Sequence, residues 1–203
     1  MKTSIVASMT LLLVSLWVNV ASAAAVVGQA APSFTATDSN GTSVSLADYK
    51  GKYVVLEWMN PDCPFTKKHY RSGNMQALQS EYRAKGVVWL SVNTAETGSS
   101  SFRPGSEMNA WNTEMKAAPS ALLMDSDSSL AKLYGAKTTP HMFVVSPAGM
   151  VVYAGAIDDK RSTKLEDVKV AKNYVVTALD ESLAGKPVST SSTQPYGCSV
   201  KYQ

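Results

Sequence analysis

The sequence is short of cysteine, histidine and net charge, and each shortage narrows what the protein can do. Its 203 residues include two cysteines, Cys63 and Cys198, and two histidines, His69 and His141. The formal net charge is +3. Lysines and arginines are scattered with no basic stripe and no interleaved aromatics, which sets nucleic-acid binding aside. There are no internal repeats. The nine methionines are too dispersed for a metal-binding tract. Asp125-Ser126-Asp127 lacks the glycine and terminal glutamate of a calcium loop and reads as a turn. Hydrophobic residues at 45% and charged residues at 17% do allow a real core, so global disorder is not expected.

Long hydrophobic runs are missing too, except at the start. Lys2 precedes "IVASMTLLLVSLWVNV", which is roughly 15 to 17 residues, short of the roughly 20 a membrane span needs. Ala21-Ser22-Ala23 places small residues where a signal peptidase reads. Residues 1–23 therefore read as a signal peptide cleaved near Ala23 or Ala24, with a periplasmic or secreted product and no membrane attachment afterwards. No cysteine follows the run, so a lipid anchor is not supported. Asn40, in "NGT", is a glycosylation acceptor only in a eukaryotic secretory route.

Export changes how the cysteines read. Outside the cytosol thiols tend to be oxidised, and two cysteines there point more to a disulfide than to a metal pair. A structural staple is thus the plain reading, and the surroundings of Cys63 are what argue for more.

The segments alternate in type. Residues 33–52 carry a Ser-Asn-Gly turn signal between two alternating stretches, a hairpin pattern. "YVVLEWM" and "VVWLSVN" read as buried strands, with Trp58 and Trp89 in the core. Residues 63–86 read as a helix broken near Ser72-Gly73-Asn74, and 107–118 as a helix with Trp111 and Met115 on one face. A short strand at 120–125, a short helix ending at Gly135 and two strands joined at Pro147-Ala148-Gly149 follow. Residues 165–183 are expected to form the clearest helix, with Leu165, Val168, Ala171, Val175, Ala178 and Leu179 on one face. The domain is expected over 26–185. Residues 186–203 read as a flexible polar tail carrying Cys198. Alternating strands and helices of this kind imply an α/β sandwich.

Cys63 falls where the first central strand meets its helix. A thiolate there faces unpaired backbone N–H groups and the positive helix end, which lower a cysteine pKa and raise reactivity. Pro64 suits the first helical position. Lys67 and Lys68 add positive charge one turn in, and Asp62 opposes them. His69 reads as an exposed or half-buried helix residue. His141, after Pro140, is placed near Cys63.

"VGQAAPSF", "NGTSVSLADYKGKYVVLEWMNPDCP" and "LLMDSDSSLAKLYGAKTTPHMFVVSPAGMVVYAGAIDD" together resemble the thioredoxin-fold redoxins, the alkyl hydroperoxide reductase/thiol-specific antioxidant group, over roughly residues 26–185. The matching order is Pro32 and Phe34, the strand after Gly51-Lys52, the cysteine, then Thr139-Pro140 before a strand. The resemblance implies a thioredoxin-like three-layer sandwich with a central mixed sheet, and a cis Pro140 packed beside Cys63. It also implies a peroxiredoxin-like, antioxidant thiol oxidoreductase needing no metal or organic cofactor. Thioredoxins have a second cysteine where Thr66 stands. Peroxiredoxins have a threonine where Asn60 stands and an arginine near the place of Pro140. These departures argue against both a local dithiol and efficient peroxide activation. What remains is an early attacking cysteine with a distant partner, as in two-cysteine peroxiredoxins, which gives Cys198 the resolving role within one chain or across a homodimer.

The tail is long enough for that role. From Lys186 to Cys198 it stretches to about 40 Å at most, against an expected radius of gyration of about 16 Å. The expected partners are a thiol electron donor and a disulfide or peroxide substrate. Two other readings stay open: a non-catalytic thioredoxin-fold domain stapled by a Cys63–Cys198 disulfide, and a copper chaperone built on Cys63 with a histidine, a thin donor set.

Overall fold

The computed structural model describes residues 24–202. The expected signal peptide, residues 1–23, lies outside the described residues. The chain opens with a hairpin, β1 (Thr35–Thr37) against β2 (Ser43–Ser45). Its turn is built by Asp38, whose Oδ1 accepts the Asn40 and Thr42 amides at 2.9 and 2.8 Å. Next come β3 (Val54–Trp58), α1 (Pro64–Arg71), α2 (Asn74–Ala84) and β4 (Val88–Asn93). Gly73, at φ 77°, separates the two helices where the Ser-Gly-Asn signal lies. Then follow α3 (Gly105–Glu114), β5 (Ala121–Met124), α4 (Ser129–Tyr134), β6 (Thr138–Thr139), β7 (His141–Val145) and β8 (Val151–Gly155). The last elements are α5 (Tyr174–Leu183) and β9 (Cys198–Ser199).

Among the described residues, the central sheet has five strands in the order β5-β4-β3-β7-β8. β3 runs parallel to β4 and antiparallel to β7, so the sheet is mixed. Every residue of β3 is buried, because both faces of the sheet are covered, and this is why its sequence is nearly continuous in apolar residues. Val54, Leu56 and Trp58 pack on one side with Phe34, Val44 and the α4 residues Leu130, Ala131 and Tyr134. Val55 packs on the other side with Tyr70, Leu78, Tyr82, Met108, Val175 and Leu179 from the remaining helices. The protein is therefore a three-layer α/β sandwich around a mixed sheet, as the sequence implies. Trp58 and Trp89 are fully buried within it.

Two elements differ from the expectation. The helix expected over 165–183 is divided into a 3₁₀ turn at Leu165–Lys169 and α5, which starts at Tyr174. Asn173 is the reason: its side-chain oxygen accepts the Val175 and Val176 amides, each at 3.0 Å, and caps α5 there. The preceding turn is tied elsewhere, with the Lys172 amide on Asp159 Oδ1 and the Tyr174 amide on the Ile157 carbonyl. Leu165, expected on the core face, consequently stands 43% exposed.

The second difference is the tail. Residues 186–202, expected as a mobile segment, are laid along the domain. The Ala154 amide donates to the Ser191 carbonyl and the Thr193 amide to the Ala154 carbonyl. Thr193 Oγ1 accepts the Ala156 amide at 2.9 Å. Further on, β9 pairs antiparallel with β6, and the Val200 amide donates to the Lys137 carbonyl. Small polar residues do this work through backbone groups, covering the open edge of β8.

Candidate functional site

β3 delivers the chain to the turn Met59–Asp62, and Cys63 is the N-cap residue of α1 with Pro64 directly after it. The turn is held by the Asn60 carbonyl, which accepts the Cys63 amide at 3.1 Å, and by Asn60 Oδ1, which accepts the Asp62 amide at 2.8 Å. Cys63 is 2% exposed. From the segment just before the neighbouring strand β7 comes Thr139, joined to Pro140 by a cis peptide. In its thiol form Cys63 donates to the Thr139 carbonyl oxygen at 2.9 Å.

Cys198 reaches the same place from the tail. In the β6–β9 ladder its register partner is Thr139. Gly197 makes the approach possible: at φ 131° its Cα passes so close to Thr139 that a Cβ would collide with the Thr139 carbonyl. Cys63 and Cys198 are unbridged and close enough for each thiol to shift the pKa of the other. The structure thus brings Cys63, Pro64, Thr66, Thr139, Pro140 and Cys198 to one locus.

The pair shares its protons unequally. Burial pushes the Cys63 thiol up, but donors outweigh it and hold the pKa below the ordinary value: the Cys198 thiol, then the Thr139 hydroxyl, then the Thr66 and Cys198 amides. The Thr139 hydroxyl is buried and has no hydrogen-bond partner in normal geometry, Cys63 included. Cys198 is pushed up to about 12, first by burial and then by its hydrogen bond to Cys63 and the charge there. Of the two, Cys63 is the easier to ionise and Cys198 holds its proton more tightly. Thr66, standing where thioredoxins have their second cysteine, offers its amide to Cys63 while its hydroxyl faces the Asn60 amide at 3.5 Å.

The charges expected to tune Cys63 are arranged differently from the sequence reading. Lys68 is buried and pairs with Asp158 at 3.2 Å, so its charge is used there rather than at the sulfur. Asp62 is held by both oxygens on Arg103 Nη2, at 2.8 and 2.9 Å. His69 is fully buried, not exposed or half-buried, and burial pushes its pKa down to about 4. Its Nδ1 faces the Asn74 amide at 2.9 Å, which suits a neutral ring. His141 is also buried and pushed down to about 3 by burial and then by Lys137. Its Nδ1 accepts the Lys137 amide at 3.1 Å. Among the described residues, no three His, Cys, Asp or Glu side chains converge as a metal-ion site.

A cavity of about 310 Å³ opens beside the two sulfurs, lined by Asn60, Asp62, Thr94, Glu96, Thr139 and Tyr202 among others. Its wall is formed by loop residues and by the C-terminal segment.

Sequence reasoning missed two buried polar clusters near this site. Glu57, alone among apolar neighbours in β3, accepts from Trp89 Nε1 and Tyr70 Oη at 2.8 Å each and from Ser91 Oγ at 3.0 Å. Burial still raises its pKa more than these donors lower it. A glutamate inside "YVVLEWM" was a readable signal of this kind. The other cluster, Lys68, His69, Asp158 and Tyr196, had none, since each residue type is common on surfaces.

A family model described as the AhpC/TSA family matches residues 27–154. Thiol-disulfide oxidoreductase ResA of Bacillus subtilis is 27% identical over 125 residues, which cover 62% of this chain and 64% of that protein, under two thirds of its length. An uncharacterized conserved protein from Geobacillus kaustophilus superimposes with TM-score 0.72 at 27% identity, covering 87% of this chain and 92% of that one. The thioredoxin domain of a thiol-disulfide oxidoreductase from Bacteroides vulgatus superimposes with TM-score 0.53 at 24% identity, covering 71% and 96%. With its thioredoxin-like architecture and a family match over most of its length, the chain belongs to the AhpC/TSA family.

Proposed function

We propose that this chain is an exported thiol-disulfide oxidoreductase in which Cys63 is the attacking thiolate and Cys198 the resolving thiol of the same chain. The observation that carries the reading is the unbridged Cys63–Cys198 pair, both met at Thr139 and both lining one cavity. The name of the Bacillus subtilis relative, a thiol-disulfide oxidoreductase, supports the same chemistry.

The Cys63 thiolate attacks one sulfur of an external disulfide, forming a mixed disulfide and releasing the other sulfur as a thiolate. Cys63 then carries no charge. Two of the three causes that hold Cys198 near 12, its hydrogen bond to Cys63 and the Cys63 charge, vanish at that moment. Cys198 becomes easier to ionise only after Cys63 has reacted. It attacks the Cys63 sulfur, the substrate's second thiolate leaves with the Cys198 proton, and the protein holds a Cys63–Cys198 disulfide. Two electrons have passed to the substrate, and an external dithiol returns them. Run backwards, the same steps oxidise a partner.

Peroxide reduction, the activity suggested by the family, is the second reading. Cys63 would become a sulfenic acid as the peroxide leaves as alcohol or water, and Cys198 would condense with it, releasing water. Asn60, standing where peroxiredoxins have their threonine, is occupied with the Asp62 amide and leaves this reading less supported.

Export rests on Lys2, the apolar run and Ala21-Ser22-Ala23. Intact mass of protein from its native host tests it, with a mature N-terminus expected near Ala24. The oxidoreductase reading is tested by equilibrating the reduced protein in glutathione buffers of graded ratio. A Cys63–Cys198 disulfide that forms and breaks reversibly is expected. A bond that stays closed at every ratio would mean a structural staple.

A further inference from the structure

We propose that Tyr196 is a positioning residue for Cys198, acting through a buried hub that ties the C-terminal segment to the helix carrying Cys63. The inference rests on the reading of Cys198 as the resolving thiol.

The hub consists of Lys68 and His69 from α1, Asp158 from the segment after β8, and Tyr196 from the tail. Lys68 is 1% exposed, His69 0%, Asp158 2% and Tyr196 7%. Lys68 Nζ donates to Asp158 Oδ2 at 3.2 Å, to the Lys160 carbonyl at 2.8 Å and to Tyr196 Oη at 3.4 Å, which uses its donors fully. The Tyr196 hydroxyl in turn donates to Asp158 Oδ1, which also accepts the Lys160 amide at 2.9 Å. His69 Nε2 lies 3.4 Å from the same hydroxyl. The network is closed only while Tyr196 is in place. Its departure would strip a buried ammonium and a buried carboxylate of a partner each, an outcome far costlier than the net value of the pair.

The hub sits symmetrically with respect to the two sulfurs. Phe65, two residues after Cys63, and Tyr196, two residues before Cys198, meet edge to face with ring centroids 5.7 Å apart. Tyr196 is followed by Gly197, where the Thr139 carbonyl leaves no room for a side chain, and then by Cys198 in register with Thr139. Lys68 and Phe65 ride on the helix that Cys63 caps. One cluster therefore fixes the starting point of both cysteine-bearing segments. A buried ion pair adds little to stability, but as a registry device it defines where the tail docks. The chemical consequence is a high effective concentration of Cys198 at Cys63.

The test compares wild type with Tyr196→Phe in the exchange Cys63–SH + Cys198–SH + GSSG ⇌ Cys63–S–S–Cys198 + 2 GSH, where GSH and GSSG are reduced and oxidised glutathione. The substitution keeps the ring on Phe65 and removes the hydroxyl. An equilibrium constant lower by about 10-fold is expected, equivalent to a reduction potential about 30 mV higher. Tyr196→Ala, which also removes the ring contact, is expected to lose more. The alkylation rate of Cys198 in the reduced variants should rise in the same order. If wild type forms the disulfide and Tyr196→Phe forms it with an unchanged equilibrium constant, whatever its melting temperature, the positioning role is overturned. If wild type itself forms none, the reading of the two cysteines falls, and this inference with it.

Discussion

Thr139 and Cys198 face each other across an antiparallel bridge, and the carbonyl of that same Thr139 receives the Cys63 thiol. One residue before the cis Pro140 thus holds both sulfurs. Gly197 is what lets the tail come this close, because any side chain there would meet the Thr139 carbonyl. Gly197→Ala should displace β9 while leaving the central sheet untouched. Closure of the Cys63–Cys198 disulfide is expected to slow by up to about 100-fold, the scale of a 1 Å misplacement, with little change in melting temperature. Stopped-flow quenching with an alkylating reagent reads the rate, and an unchanged rate would show that the β9 pairing is not needed.

The unequal pKa values predict an opposed pH dependence of stability. Cys63 has a folded value below its unfolded one, so its contribution is complete above the unfolded pKa, roughly 8.5, and fades as pH falls through the folded value. Cys198 behaves in the opposite sense: its contribution is complete below its unfolded pKa and is lost as pH rises toward about 12. Measured against a Cys63→Ser, Cys198→Ser double variant, the reduced protein should gain stability as pH climbs to roughly 8.5 and lose it above. Thermal melts at graded pH give the difference curve. A flat curve would mean that the two thiols are not coupled in the fold.

Asn173 predicts an effect on stability alone. Its side chain satisfies two amides at the start of α5. Asn173→Ala should cost about 1 kcal/mol in chemical denaturation, with the glutathione equilibrium of the cysteines unchanged. A shift in that equilibrium would indicate that α5 communicates with the site.

How much of this was legible beforehand depends on the kind of interaction. Strand β3, Cys63 at the helix start and Pro64 behind it announce themselves through apolar runs, turn residues and capping position. The break at Gly73 does so as well. The helical period over 165–183 misled, because a hydrophobic face is a pattern of side chains, whereas the split at Asn173 is decided by a single cap. The tail was unreadable for a related reason. Ser191, Thr193 and Gly197 dock through backbone hydrogen bonds and close approach, which leave no hydrophobic periodicity. Lys68, His69 and Asp158 look like surface residues in sequence but are interior ones, gathered with Tyr196, which lies 128 positions from Lys68 along the chain.

Peroxide and disulfide substrates should separate kinetically. Asn60 and Pro140 stand where peroxiredoxins have a threonine and an arginine, and loss of one charge-stabilising donor typically costs about 10²–10³ in rate. Reduced protein should therefore react more slowly with hydrogen peroxide than with glutathione disulfide at equal concentration. A peroxide rate constant approaching about 10⁸ M⁻¹s⁻¹, the diffusion ceiling, would reverse the order of the two readings.

The central claim, that Cys63 attacks and Cys198 resolves, is tested most directly by exposing reduced Cys198→Ser to glutathione disulfide and following both the intact mass and the melting temperature. A Cys63–glutathione mixed disulfide is expected to accumulate in the variant, wild type to pass through it to the internal disulfide, and the reduced variant to melt close to reduced wild type. Failure of Cys63 to capture glutathione, together with a stability of the variant roughly 2–5 kcal/mol below that of oxidised wild type, would contradict it and make the pair a structural staple.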